Sequence, residues 1–244
     1  MIIAGVDDAG RGSVLGPLVI AGVSIDERDV PRLKELGVRD SKLLTPKKRQ
    51  DLYKEIKKIA AAVRYEKIQP SAIDSVVFNG QKLFRLNRLE AEVMAKVLSG
   101  MDFDLAYVDC CDTNQKRFGY LISDLISARR LGKKFTVGEK NPLFDKIRSE
   151  HHADRNYAVV SAASIIAKVA RDSAIRRLHK KHGIMFGSGY PSDPCTVSYL
   201  KQTYEISKGF PSFTRLSWLT VRRMQPGQMD SPGEETVLES LPKD

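Results

Sequence analysis

Ile2-Ile3-Ala4-Gly5-Val6-Asp7-Asp8-Ala9-Gly10-Arg11-Gly12-Ser13-Val14-Leu15-Gly16-Pro17 decides how the rest of the chain is read. Its apolar, largely β-branched start reads as a buried strand, and the glycine- and proline-rich segment that follows cannot continue regular structure. Two carboxylates therefore stand where a strand stops. Successive strand residues point to opposite faces, so Asp7 and Asp8 share one site only where the strand ends or bulges. That geometry suits metal ions. Gly10 and Gly12 let backbone N–H groups approach a ligand closely, and Arg11 offers a charged fork for phosphate. Taken alone, the stretch is equally an N-terminal strand with a solvated Asp-Asp turn, since acidic pairs and glycine triplets are common.

Working outward, Leu18 to Ile25 reads as a second strand paired antiparallel with the first. After Asp40-Ser41-Lys42-Leu43, Thr45-Pro46 supplies a cap and a first helical residue for a helix to about Ala61, with Leu52, Ile56 and Ile59 on one face. Ser41 and Lys42 are either a phosphate-holding pair or a solvated loop before that helix. Val63 to Ile68 reads as a strand, and Gln81 to Ser99 as a core helix through Leu86, Leu89, Val93 and Val97. Leu105 to Asp109 repeats the opening design, an apolar strand ending in a carboxylate, followed by Cys110-Cys111-Asp112. A helix over 116–131 and a short strand over 134–137 come next. Strands alternating with helices after an initial hairpin imply a mixed sheet covered by helices.

The longest helical signal runs from about Asn156 to Lys181. Its alanines permit close packing on a sheet, and Lys168 and Arg171 share a face. Asp154, just ahead, reads as a helix cap or as a metal ligand. Gly187-Ser188-Gly189-Tyr190-Pro191-Ser192-Asp193-Pro194 breaks that helix, holds Tyr190 on a rigid loop and starts another helix capped by Asp193. A last helix is expected over 216–224. The division expected is a catalytic domain over 1–186, a helical substrate-binding extension over 187–223, and a mobile acidic tail over 224–244.

The 244 residues carry a formal net charge of +10, and the tail is net −4, leaving +14 on residues 1–223. Such a body attracts polyanions, nucleic acid before others. Three cysteines without CxxC spacing argue against a disulfide scaffold or a structural zinc site. No apolar run reaches the roughly 18 residues a bilayer span needs, so no membrane partner is expected and the protein is read as soluble, monomeric and cytoplasmic.

Asp7, Asp8, Asp109 and Asp154 fall at strand ends and a helix start, where a sheet edge can gather them. Four carboxylates packed together repel unless cations hold them ionised, and all-oxygen ligands favour Mg²⁺ or Mn²⁺ over zinc. Two such ions about 4 Å apart activate water and stabilise the leaving oxygen of a phosphodiester displacement. On a basic body, that points to a nuclease. No GxxxxGK[ST] phosphate cradle supports a nucleotide-dependent enzyme instead.

Here the residues also carry a resemblance. Gly5 to Gly12, Asp40 to Leu43, Tyr107-Val108-Asp109, Ala153-Asp154, Val160 to Lys168 and Gly187 to Pro194, in that order, resemble type 2 ribonuclease H (ribonuclease HII), in its single-chain archaeal form. The resemblance spans roughly residues 1 to 223. It implies a ribonuclease H-like α/β fold, a mixed five-stranded sheet flanked by helices with a C-terminal helical extension. It also implies metal-dependent hydrolysis of RNA in RNA-DNA hybrids and nicking 5′ of single ribonucleotides in duplex DNA, leaving 3′-OH and 5′-phosphate. By motif, Asp7, Asp8, Asp109 and Asp154 match the metal-binding acids, Gly10, Arg11 and Gly12 the loop that reads the ribose 2′-OH, and Tyr190 an aromatic stacking on the neighbouring sugar. Lys42, Lys168 and Arg171 are the expected phosphate contacts. A sliding clamp is an allowed further partner, although Glu235 to Leu241 lacks the paired aromatics of a clamp-binding peptide. The chain departs from the family pattern at Asp8, usually Glu, at Ser13, usually Pro, and at Cys110-Cys111. The shorter Asp8 leaves a weakly active or silent nucleic-acid-binding protein of the same fold as the competing reading.

Overall fold

A computed structural model describes residues 1–38, 41, 44–79, 85–132 and 141–225. The expectations for Asp40, Lys42 and Leu43, for a strand over 134–137 and for the tail from residue 226 lie outside them. The strands are β1 (Ile2–Ala9), β2 (Leu18–Asp26), β3 (Ala62–Ile68), β4 (Leu105–Asp109) and β5 (Ile147–Glu150). The helices are α1 (Val30–Glu35), α2 (Pro46–Ile59), α3 (Pro70–Asn79), α4 (Arg85–Ser99), α5 (Gln115–Leu131), α6 (Ala153–Asn156), α7 (Ala158–His182), α8 (Pro194–Ser207) and α9 (Leu219–Arg222).

The sheet has the order β3-β2-β1-β4-β5. The first three strands pair antiparallel, and β4 and β5 add in parallel beside β1. That is the expected hairpin followed by crossovers. β2 is buried on both faces and alternates cleanly: Leu18 and Ile20 enter one core with Met94 and Phe118, while Val19, Ala21, Val23 and Ile25 enter the other with Leu52 and Ile166. Burying each such side chain fully is worth roughly 1.5–3 kcal/mol, so a one-residue slip of register would reverse a large sum.

α7 lies along β1 at a distance only glycine and alanine allow. A Cβ on Gly5 would stand 2.5 Å from the backbone C and O of Val159, and Ala162, Ala163 and Ala167 are buried alongside. The small residues therefore fix where the helix can sit.

Several local expectations change. The expected core helix is present as α4 through Ser99, and its expected start at residue 81 lies outside the described residues. The fifth strand is β5, four residues whose brevity leaves almost no periodic signal. Asp154 does not cap the long helix. It sits inside the single turn α6, after which Tyr157 takes extended backbone and α7 begins without a side-chain cap. The expected last helix shrinks to the one turn α9, preceded by Trp218. Thr45 does cap α2, its Oγ1 accepting from Lys48 N at 3.2 Å, and Asp193 caps α8, its Oδ1 accepting from Cys195 N at 3.0 Å.

Candidate active site

β1 outlasts its parallel partner. Its ladder with β4 ends at Val6 opposite Val108, whereas its pairing with β2 continues through Asp7, Asp8 and Ala9. No bulge is needed. Past Val6 the strand has an open edge on the β4 side, and Asp7 and Asp8 lie there beside Asp109, the last residue of β4.

The carboxylates feel one another. Asp7 is pushed well above the ordinary carboxylate range, first by burial, then by the charges of Asp109 and Asp8, against a hydrogen bond from Ser164 of α7. Asp109 rises to about 7, first through burial, then through Asp154 and Asp8. Ala153 N donates to Asp109 Oδ1 at 2.8 Å, tying the end of β4 to α6 and so bringing Asp154 close. His152, at φ 56°, makes the left-handed turn that starts α6. All four expected acids are thus gathered at one sheet edge.

They do not form a ready cage. Among the described residues, no three His, Cys, Asp or Glu side chains stand as a group able to hold a metal ion. The donor set nevertheless fits a divalent cation, being all carboxylate, partly buried and held toward protonation by its own repulsion, which a cation would relieve.

Beside the acids, the glycine loop turns at Gly10, with φ +94°, where a Cβ would crowd Pro17 O and the Arg171 side chain. At Gly12 nothing lies within 4 Å of the place a Cβ would take, so the loop is open there. Gly189 O accepts from Val14 N at 2.8 Å and Leu15 N at 3.1 Å, setting the Tyr190 loop against the glycine loop.

Two arginines sit differently from expectation. The Arg11 guanidinium turns inward: Nη1 donates to Cys111 O at 3.1 Å, Nη2 to Asn87 Oδ1 at 2.6 Å, and Nε lies 3.2 Å from Glu90 Oε1. It is committed to the protein, leaving the loop backbone to face a ligand. Arg171 is 1% exposed, donates to Ser188 O at 2.6 Å and lies under the Tyr190 ring at 4.3 Å from its centroid. So placed, it supports the tyrosine and the glycine loop from behind rather than offering a surface contact. Lys168 stays on the accessible side, 3.1 Å from Asp172 and 5.2 Å from the same ring. Next to it, a cleft of about 430 Å³ between α2 and α7 is lined by Lys47, Arg49 and Arg176.

A family model described as Ribonuclease HII matches residues 4–221. The chain belongs to the ribonuclease HII family. It is 43% identical over 227 residues to the ribonuclease HII of Cenarchaeum symbiosum, covering 93% of this chain and 100% of that protein. The crystal structure of ribonuclease H2 from Pyrococcus horikoshii matches with a TM-score of 0.76 at 40% identity, over 92% of this chain and 97% of that one. Ribonuclease HII in the PCNA complex from Archaeoglobus fulgidus matches at 0.74 and 36% identity, over 89% and 95%. Membership makes this chain a hydrolase, an endoribonuclease of RNA-DNA hybrids, in a family that depends on metal ions. Among its described residues, no helix is long and apolar enough to cross a membrane.

Sequence reading missed two charged residues of this chain, Glu90 and Arg215, both fully buried. Arg215 Nη1 donates to Arg11 O at 2.8 Å and its Nε to Gly16 O at 3.2 Å, bracketing the glycine loop, while burial and then Arg171 lower its pKa to about 10. The signal for Glu90 was present. It falls four residues after Leu86 and three before Val93, on the apolar stripe of α4, where an acid has no place without a partner.

Proposed function

We propose that this chain hydrolyses the RNA strand of RNA-DNA hybrids and nicks duplex DNA 5′ of single ribonucleotides, leaving 3′-OH and 5′-phosphate ends. In this reading Asp7, Asp8, Asp109 and Asp154 hold two divalent cations, Mg²⁺ or Mn²⁺. The observation that carries it is the gathering of four mutually repelling carboxylates at one sheet edge, next to a glycine loop whose open side is backbone.

The cations, when bound, supply activation of water and stabilisation of the leaving oxygen. The chain's own residues do the rest. The acids give up any shared protons when metal binds, and the hydrogen bond from Ala153 N keeps Asp109 oriented. Gly10 to Gly12 present backbone N–H and C=O groups to the 2′-OH, the group that separates RNA from DNA. Tyr190, braced by Arg171 and Lys168, stacks on the neighbouring sugar. Lys168 holds phosphate, and the +14 body steers the duplex in. Lys42, outside the described residues, keeps its proposed phosphate role from sequence.

The test is a duplex carrying one ribonucleotide, incubated with protein and Mg²⁺, Mn²⁺ or EDTA. Nicking with either metal, 5′ of the ribonucleotide and absent in EDTA and in Asp7→Asn, is the expected result. Binding without nicking in both metals would instead establish the silent binder that the shorter Asp8 allows.

A further inference from the structure

Glu90 is 0% exposed, and both its carboxylate oxygens are buried without a hydrogen-bond partner. Its nearest opposite charge is Arg11 Nε at 3.2 Å, which is ion-pair distance without hydrogen-bond alignment. A buried carboxylate held this way is a poor source of stability, because desolvation opposes the Coulomb attraction and an apolar residue of similar volume often does as well. Its effect lies in what it aims. Arg11 stands between Gly10 and Gly12, two residues with no side chain to anchor them, so its guanidinium is the side-chain anchor these three residues themselves supply, while Arg215 holds their backbone through Arg11 O at 2.8 Å. That side-chain anchor runs entirely to one neighbourhood: Glu90 and Asn87 of α4, and Cys111 O after β4. Asn87 is itself fixed, donating from Nδ2 to Asp112 Oδ2 at 3.1 Å.

We propose that Glu90 is a positioning residue for ribose recognition, fixing the Gly10 to Gly12 backbone through the Arg11 guanidinium it attracts. This role rests on the proposed function of the loop. The neighbouring acids at the sheet edge belong to the metal site; Glu90 does not touch substrate and acts only through Arg11. It links α4, on the far side of the sheet from α7, to the loop that meets the 2′-OH. The contact to Arg11 Nε at 3.2 Å is an attraction between charges, which shape alone does not supply.

The experiment uses the full-length protein with Glu90→Gln, Arg11→Lys and the double variant. Glu90→Gln should lower the saturated single-turnover nicking rate about tenfold, with half-saturation and all-DNA duplex binding changed less than about threefold. In the Arg11→Lys background the same change should matter less than about twofold, because the group it acts through is gone. A second readout needs no substrate: amide hydrogen exchange at residues 10–12 should speed up about tenfold in Glu90→Gln while the core strands stay protected. An unchanged exchange rate overturns the proposal even where nicking fails in the wild type, which would separately sink the function assigned to the loop. An additive double variant also overturns it, making Glu90 a packing residue. Should Glu90→Gln not fold, Glu90→Met, apolar and of similar length, carries the same measurements, and loss of fold in both places Glu90 in stability alone.

Discussion

At the scale of single residues, the site separates groups that are strained from groups that are merely open. Asp109 titrates at about 7 in the fold against an ordinary 3.8. A carboxyl with a raised folded-state pKa favours the fold while protonated, so its contribution is full below about pH 4 and is lost as pH rises through about 7. Asp109→Asn keeps the oxygen that accepts from Ala153 N and removes the charge. In chelator, the variant should therefore gain on the wild type by roughly 2 kcal/mol more at pH 8 than at pH 5. Denaturant titrations at the two pH values would show it, and equal differences at both would mean the repulsion is absent. Gly12 is the open kind. With nothing within 4 Å of its would-be Cβ and no positive φ, Gly12→Ala should fold with an unchanged melting temperature. Under the proposed ribose role it should slow nicking by about tenfold, since one methyl placed between loop and sugar spoils alignment. A folded Gly12→Ala enzyme at full rate would remove the loop from recognition.

At the scale of elements, what was legible followed from strong local patterns. The β1–β2 hairpin, β4 and α7 were readable because β-branched runs, alternation and an alanine-rich helix announce themselves over many residues. β5, α3 and α1 were not: four strand residues carry no period, and short helices draw their stability from packing. The carboxylates were found from their places at strand ends, but the inward turn of Arg11 was invisible, because its partners Glu90, Asn87 and Cys111 lie 76 to 100 residues away. The closest packing between elements gives a direct test. An alanine at Gly5 would drive its methyl to within 2.5 Å of the α7 backbone, which cannot step aside without moving the helix that carries Ser164 and Lys168. Gly5→Ala should cost about 3 kcal/mol or more. Gly22→Ala meets the side-chain ends of Met101 and Val97 at 2.6 Å and should be milder, since those ends can rotate. Chemical unfolding of the pair checks the order, and equal losses would contradict the idea that backbone contact, not mere crowding, sets the β1–α7 distance.

At the scale of the whole molecule, charge is divided between a basic body and an acidic end. Arg176, Arg177, Lys180 and Lys181 are exposed along the last turns of α7, the helix that also carries Lys168, and Arg176 lines the cleft beside Arg49. Residues 226–244 carry five acids and one lysine. They lie outside the family match, which ends at residue 221. A net −4 segment tethered to a basic body competes with the duplex through long-range charge, and salt screens that competition within about 10 Å at 0.1 M. Deleting 226–244 should leave the saturated nicking rate of a short duplex unchanged and tighten binding about twofold to fivefold near 0.05 M salt, with the difference vanishing near 0.3 M. Fluorescence anisotropy across that salt range, alongside single-turnover nicking, measures both. A truncated protein that melts normally yet nicks slowly would mean the tail contributes to the site, and tighter binding that persists at high salt would mean its effect is steric rather than electrostatic.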